Sequence, residues 1–260
     1  MENGPKLTDL YIEYAAGITD APQLYSQWMG YLILSSVINK NIYMKGGFRN
    51  LHPNFFFLIV GPSSIYRKSF SQDLAVSIIQ EIIADYQFHD VSSREAFISE
   101  LARNDRTLPG CGLITIDEMA GFMGRMKNSH HFQGMIQDLS TLFTGSSLYR
   151  RVGISEKEKQ EFRVDNPFVN LTAACSFDWL TKAVETSDLT GGFLARFLWI
   201  VAADKEGEHW SEEKAGDAML RSRIIARLME IRDLLGEATW TPEAKKRGDK
   251  WYSDFRTRNQ

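Results

Sequence analysis

Lys68 and Ser69 close a run of small or turn-forming residues, Gly61-Pro62-Ser63-Ser64-Ile65-Tyr66-Arg67. About fifty residues further on stand two adjacent carboxylates, Asp117 and Glu118. These types in this order are the parts that phosphoryl chemistry needs. Backbone N–H groups turned inward around phosphates require glycine or small residues, and a lysine meets the terminal phosphates. A hydroxyl and a carboxylate hold Mg²⁺, and a second carboxylate can take a proton from an attacking water. The candidate ATP-binding set is therefore Gly61, Pro62, Ser63, Ser64, Arg67, Lys68 and Ser69. Ser69 and Asp117 are the candidate Mg²⁺ ligands, and Glu118 is the candidate general base, with Lys68 as its catalytic companion. ATP and Mg²⁺ are the expected cofactors.

The loop departs from the usual phosphate-loop spacing, G-x-x-x-x-G-K-[ST]. Six residues separate Gly61 from Lys68, and Tyr66-Arg67 stand where the second glycine belongs. Taken alone, the segment reads equally as an ordinary strand-to-helix turn ending in Lys-Ser, and Asp117-Glu118 as acids at a strand's solvated exit. The conjunction favours nucleotide binding, because both motifs follow apolar, strand-like runs in the right order. Arg67 either reaches the phosphates or points to solvent.

Both motifs need buried strands to hold them, and the hydrophobic pattern supplies these. Phe55–Val60 is an uninterrupted apolar run, the pattern of a strand covered on both faces of a parallel sheet. After the loop, Leu74, Ile78, Ile79, Ile82, Ile83 and Tyr86 recur at helical spacing. Residues 112–116 form a second core strand ending at Asp117. Phe97 and Leu101 mark one further helix, and Phe132, Met135, Ile136, Leu139 and Phe143 another. Two further strands are expected over 168–174 and 197–203. Tyr149–Val152 and Glu161–Val164 bracket a charged tip and predict a β-hairpin. Residues 10–40 read as helices, 45–54 as a Gly- and Asn-rich loop, and the basic tail from 215 as helical.

The expected architecture is α/β: a P-loop NTPase with a parallel sheet flanked by helices, an N-terminal helical segment and a C-terminal helical tail. The corresponding division is an N-terminal helical segment over 1–50, a nucleotide-binding core over 51–205 and a lid-like tail over 206–260. The chain stops mid-pattern, as a fragment of a longer polypeptide would. Composition agrees with a globular domain: 43% of residues are hydrophobic and 12% aromatic. The net charge of −3 excludes a uniformly basic nucleic-acid coat, so any such contact must be local. Cys111 and Cys175 sit in apolar surroundings and read as reduced core thiols. His130-His131 lacks a spaced ligand set and reads as solvated loop. Trp179, Trp199, Trp210, Trp240 and Trp251 show no cage-like spacing, so core packing is expected of them. No leader pattern or membrane-length apolar run is present, and a cytoplasmic protein is expected.

Gly61-Pro-Ser-Ser-x-x-Arg67-Lys68-Ser69, the strand ending Asp117-Glu118, and Gly191-Gly-Phe-Leu-Ala-Arg196-Phe together resemble the helicase-like P-loop domain of phage and plasmid primase–helicases. A stretched loop containing Arg-Lys recurs in that family. The motif order is also similar to that of AAA+ and minichromosome-maintenance-type helicases. The resemblance implies a γ-phosphate sensor at the end of the next strand, where Ser176 stands. It implies an arginine finger at Arg196, whose guanidinium would reach the neighbouring subunit's ATP. It further implies a ring or other oligomer, a linked or partner primase, and DNA as the nucleic-acid partner. In those helicases a hairpin before the sensor strand grips the nucleic-acid backbone, which assigns contacts to Arg150, Arg151, Lys157 and Lys159. A solvated hairpin of mixed charge reads equally well there. The expected function is an ATP-hydrolysing, helicase-like motor; the alternative is a P-loop regulatory module that binds nucleotide with weak or no hydrolysis. The basic tail could be a lid, a subunit contact or a DNA contact.

Overall fold

The computed structural model describes residues 5–47, 49–88, 91–152, 160–183, 192–202 and 215–258. Helical apolar spacing near the N-terminus produces α1 (Leu7–Ala16) and α2 (Gln23–Ile38), which pack together. Residues 45–54, expected as loop, are partly strand: β1 (Ile42–Gly46) and β2 (Arg49–Leu51) pair antiparallel with Met44 opposite Leu51. Gly47, at φ +75°, makes the tight turn, so the glycines signalled a hairpin rather than an open loop.

The phosphate-loop region then follows the expected alternation. β3 (Phe56–Val60) leads to α3 (Lys68–Ile82) and α4 (Arg94–Leu101), and β4 (Cys111–Ile116) to α5 (Met119–Asn128) and α6 (Met135–Phe143). The hairpin forms as β5 (Leu148–Val152) and β6 (Gln160–Val164), paired antiparallel. β7 (Phe168–Cys175), α7 (Phe177–Ala183) and β8 (Phe197–Val201) complete the central layer. The chain continues through α8 (Ala218–Arg232), β9 (Gly236–Glu237), which pairs with β1, and α9 (Pro242–Arg258).

The central sheet runs β4-β7-β3-β8 with every pair parallel. All five residues of β3 are buried, and successive side chains feed opposite faces of the sheet. Phe57 and Ile59 enter a core built with α1, α2, α3 and α8. Phe56, Leu58 and Val60 enter a second core built with α4, α5 and α6. Such double coverage is why β3 reads as a continuous apolar run and β4 as one broken only by Thr115.

β7 departs from that pattern at its centre, where Asn170 and Thr172 are fully buried. Asn170 accepts hydrogen bonds from Phe55 N (2.8 Å) and Ser35 Oγ (3.1 Å) and donates to Ser36 Oγ (3.1 Å). Gln72 donates to Thr172 Oγ1 at 3.0 Å. These bonds tie α2 and α3 to the sheet, Asn170 beside the start of β3 and Thr172 opposite Phe57.

The tail divides in two. α8 buries Leu220, Ile224 and Leu228 and belongs to the core. α9 buries nothing, so Trp251 is 65% exposed, and Trp240 just before it is 60% exposed, both against the expectation of core packing. Trp199 is also exposed, because it lies on the edge strand β8. Trp210 lies outside the described residues. Among the described residues no helix is long and apolar enough to cross a membrane.

Candidate active site

The candidate phosphate loop spans seven residues, from the end of β3 at Val60 to the start of α3 at Lys68. Lys68 is the first helical residue, and its Nζ donates to Gly61 O (2.8 Å) and Pro62 O (2.7 Å). The ammonium thus closes the loop on itself, joining its first two carbonyls to the helix that follows. Burial holds the Lys68 amine below its ordinary range. A phosphate arriving beside it would favour its charged form.

The missing second glycine has a structural substitute. Arg67 adopts the left-handed conformation (φ 47°, ψ 42°) immediately before Lys68, and Ser64 does so as well (φ 65°). This region normally favours glycine. Arg67 is held there by an ion pair from its Nε to Asp20, at 2.6 Å. Asp20 lies between α1 and α2 and its side chain is only 3% exposed. The guanidinium therefore neither faces open solvent alone nor turns into the phosphate cleft, the two outcomes the sequence left open.

Gly61 is required for a different reason. A Cβ at this position would collide with Tyr25 Oη and lie 2.8 Å from Tyr66 Cδ2. Tyr25 Oη already donates to Val60 O at 2.7 Å, so the ring cannot retreat without breaking that bond.

Ser63, Ser64, Lys68 and Ser69 face Asp117, Glu118, Cys175, Ser176 and Trp179 across a cleft of about 280 Å³. That is just below the roughly 300–1,000 Å³ of whole-ligand sites, and suits a phosphate chain with its metal. Asp117 and Glu118 follow β4, which β7 separates from β3. Two strand spacings set the acids about 10 Å across from the loop strand. The offset leaves room for a phosphoryl group, a metal and a water between Lys68 and Glu118. Both acids are exposed, and Glu118 stands at the N-cap of α5 without capping it.

Ser176 lines the cleft, and its Oγ also accepts from Trp179 N at 3.3 Å, capping α7. Cys175 is a free, buried thiol whose pKa burial pushes up to about 12, so it faces Lys68 uncharged. Cys111 is likewise free and buried.

Asp73, which sequence reading passed over, stands four residues after Ser69 on α3. That spacing puts the two on one helix face. Burial and the charge of Asp117 both raise the Asp73 carboxyl. The i, i+4 relation to Ser69 was the available signal. Among the described residues no three His, Cys, Asp or Glu side chains close around one point. Ser69 with Asp117 instead fits Mg²⁺, which takes one or two protein ligands and completes its octahedron with phosphate oxygens and water.

The remaining candidates lie elsewhere. Arg196 ends a short 3-10 turn before β8 and bonds Gly192 O. Phe197 pairs with Phe56 at the start of β3, so Arg196 is at the end of the sheet opposite the phosphate loop. In the hairpin, Arg150 Nε pairs at 2.6 Å with the fully buried Asp138, which Arg94 also holds at 2.6 Å. Arg150 thereby pins β5 to α6. Arg151 contributes to β5, and Lys157 and Lys159 lie outside the described residues. His130 and His131 are exposed. No family model matches this chain, and no curated protein matches it significantly.

Proposed function

We propose that the chain binds Mg·ATP in the cleft between the phosphate loop and Asp117-Glu118 and hydrolyses it, as a helicase-like motor ATPase acting on DNA. The observation that carries the reading is Lys68. It stands at the N-terminus of α3, ties the loop's first two carbonyls together, and faces two carboxylates across a phosphate-sized cleft. In this scheme the amides of the loop and first helical turn, with Lys68, receive the β- and γ-phosphates. Ser69 and Asp117 hold Mg²⁺, with Asp73 orienting its water shell. Glu118 accepts a proton as water attacks the γ-phosphorus and the bond to the ADP oxygen breaks. In the same scheme Ser176, which lines the cleft, senses the γ-phosphate, and Arg196 serves a neighbouring copy.

The test is a pair of variants. Lys68→Ala should abolish binding of a fluorescent ATP analogue. Glu118→Gln should keep binding while slowing turnover by roughly 10²–10⁴-fold, the usual contribution of a positioned base. A stimulated rate with single-stranded DNA would support the motor. Wild-type binding without turnover, unaltered by Glu118→Gln, would favour the regulatory module instead. The lengthened loop, whose Arg67 is committed to Asp20, is the feature that speaks for that second reading.

A further inference from the structure

A second concave region lies at the other end of the sheet. His52 precedes β3, Asn166 and Pro167 precede β7, and the phosphate loop follows the far end of β3. The five residues of β3 set the two sites about 16 Å apart along the strand. A cavity of about 590 Å³ opens here, walled by Lys40, Tyr43, Arg49, Asn50, His52 and Asn166 among others. It continues into a cavity of about 290 Å³ that shares Arg49, Asn50 and His52. The shared walls make the two cavities one open concave region, extended toward Asn54 and Phe143.

The groove's chemistry is one-sided. Among the described residues lining either cavity there are two permanent cations, Lys40 and Arg49, and no Asp or Glu. The whole chain carries 33 acidic against 30 basic residues, so this is a local departure from the background. Lys40 hydrogen-bonds Asn166 O (3.3 Å) and also reaches the Cys111 thiol, at the inner wall of the groove. The ring centroids of Tyr43 and His52 lie 6.2 Å apart, and His52 packs edge-on against Phe168. Burial lowers the basicity of His52, which leaves a neutral aromatic face at pH 7. His52 Nδ1 is buried without a hydrogen-bond partner. Cations that pair with phosphates, aromatic faces and amides along one open groove are the elements with which proteins hold a single strand.

We propose that this groove holds single-stranded nucleic acid, with phosphates on Lys40 and Arg49 and a base against Tyr43 and His52. The site is separate from the hairpin and does not depend on the nucleotide cleft.

The test is fluorescence anisotropy of a labelled oligothymidylate, without ATP, on the full chain. Lys40→Glu/Arg49→Glu should weaken binding tenfold or more. It should also lower the slope of log affinity against log salt by about 1.4, the contribution of two single-strand phosphate contacts. Lys68→Ala should leave strand binding intact, so failure of the nucleotide reading and failure of this one separate cleanly. If Lys40→Glu impairs folding, judged by circular dichroism, Arg49→Glu/Asn50→Asp carries the same test on exposed positions. Unchanged affinity in these variants would overturn the proposal. So would an absence of wild-type binding, a loss confined to Tyr149→Ala in the hairpin, or displacement of the strand by equimolar pyrophosphate.

Discussion

Arg67 offers the sharpest check on whether the loop is shaped as described. A left-handed conformation costs an L-residue about 1–2 kcal/mol, and glycine escapes this cost. Glycine also loosens the unfolded chain, which returns about 0.4–1 kcal/mol, so the net gain from Arg67→Gly is about 1 kcal/mol. In the wild type that gain is masked, because the substitution removes the 2.6 Å ion pair to the nearly buried Asp20. The experiment therefore belongs in an Asp20→Asn background. There Arg67→Gly should raise the melting temperature by about 2–4 °C, the shift expected per kcal/mol for a chain of this size. Arg67→Ala keeps the strained backbone and should leave the melt unchanged. The Arg67→Gly variant should also retain the ATP analogue, since Lys68 and its two carbonyl bonds remain. Coincident melts for the Gly and Ala variants would mean that the position is not left-handed, and the account of the missing glycine would fall.

Gly61→Ala should cost about 1–3 kcal/mol, the range for overpacking, and Tyr25→Phe should recover part of it by removing the hydroxyl that the new methyl meets; denaturant unfolding reads both. Asp73→Asn should raise the Mg²⁺ concentration for half-maximal ATPase roughly ten- to a hundredfold, as loss of an outer-sphere partner does, while metal-free nucleotide binding stays the same. Asp138→Ala strands two arginines that are each about a quarter exposed and should cost about 2–4 kcal/mol in thermal unfolding. For the same reason Arg150→Ala should lower stability before it lowers any DNA affinity. Mixing Lys68→Ala with Arg196→Ala should restore ATPase at about one interface in four, where an intact cleft meets an intact Arg196; no recovery in an assembled sample would remove Arg196 from the mechanism.

The strands and helices around the cleft were legible because double burial leaves a simple mark. Phe56–Val60 is a continuous apolar run, Cys111–Ile116 is one broken only by Thr115, and α3 carries its stripe at helical spacing. Lys68, Ser69, Asp117, Glu118 and Ser176 were legible by order along the chain, and they do line one cleft. The rest depended on contacts that sequence separation hides. Nothing near Arg67 announces Asp20, 47 residues earlier, as its ion partner. Arg150 reads as surface cation until Asp138 is found beneath it. Strand order is equally hidden: β7 enters between β3 and β4 although it follows both in the chain. The hairpin at 42–51 was missed because glycine and asparagine mark tight turns and open loops alike. The tryptophans of the tail misled because aromatic content shows that apolar surface exists, not what covers it.

The parallel sheet sorts the candidate residues by end. Loop, acids and Ser176 all follow the C-terminal ends of their strands, where helix N-termini and short turns converge; this is the rim on which open α/β sheets place ligands. Arg196 precedes β8, one strand length away at the opposite rim. An extended arginine side chain spans about 7 Å, by the reach of the fully extended chain at about two residues' length, so it cannot cover about 16 Å to its own cleft. If Arg196 acts on a nucleotide at all, that nucleotide belongs to another copy. A contact joining one copy's lower rim to the next copy's upper rim is heterologous, and such contacts close into rings or run on as filaments. The groove at Lys40 and Arg49 shares that lower rim, so assembly through Arg196 would carry the strand-binding surface and the finger on the same side of each subunit.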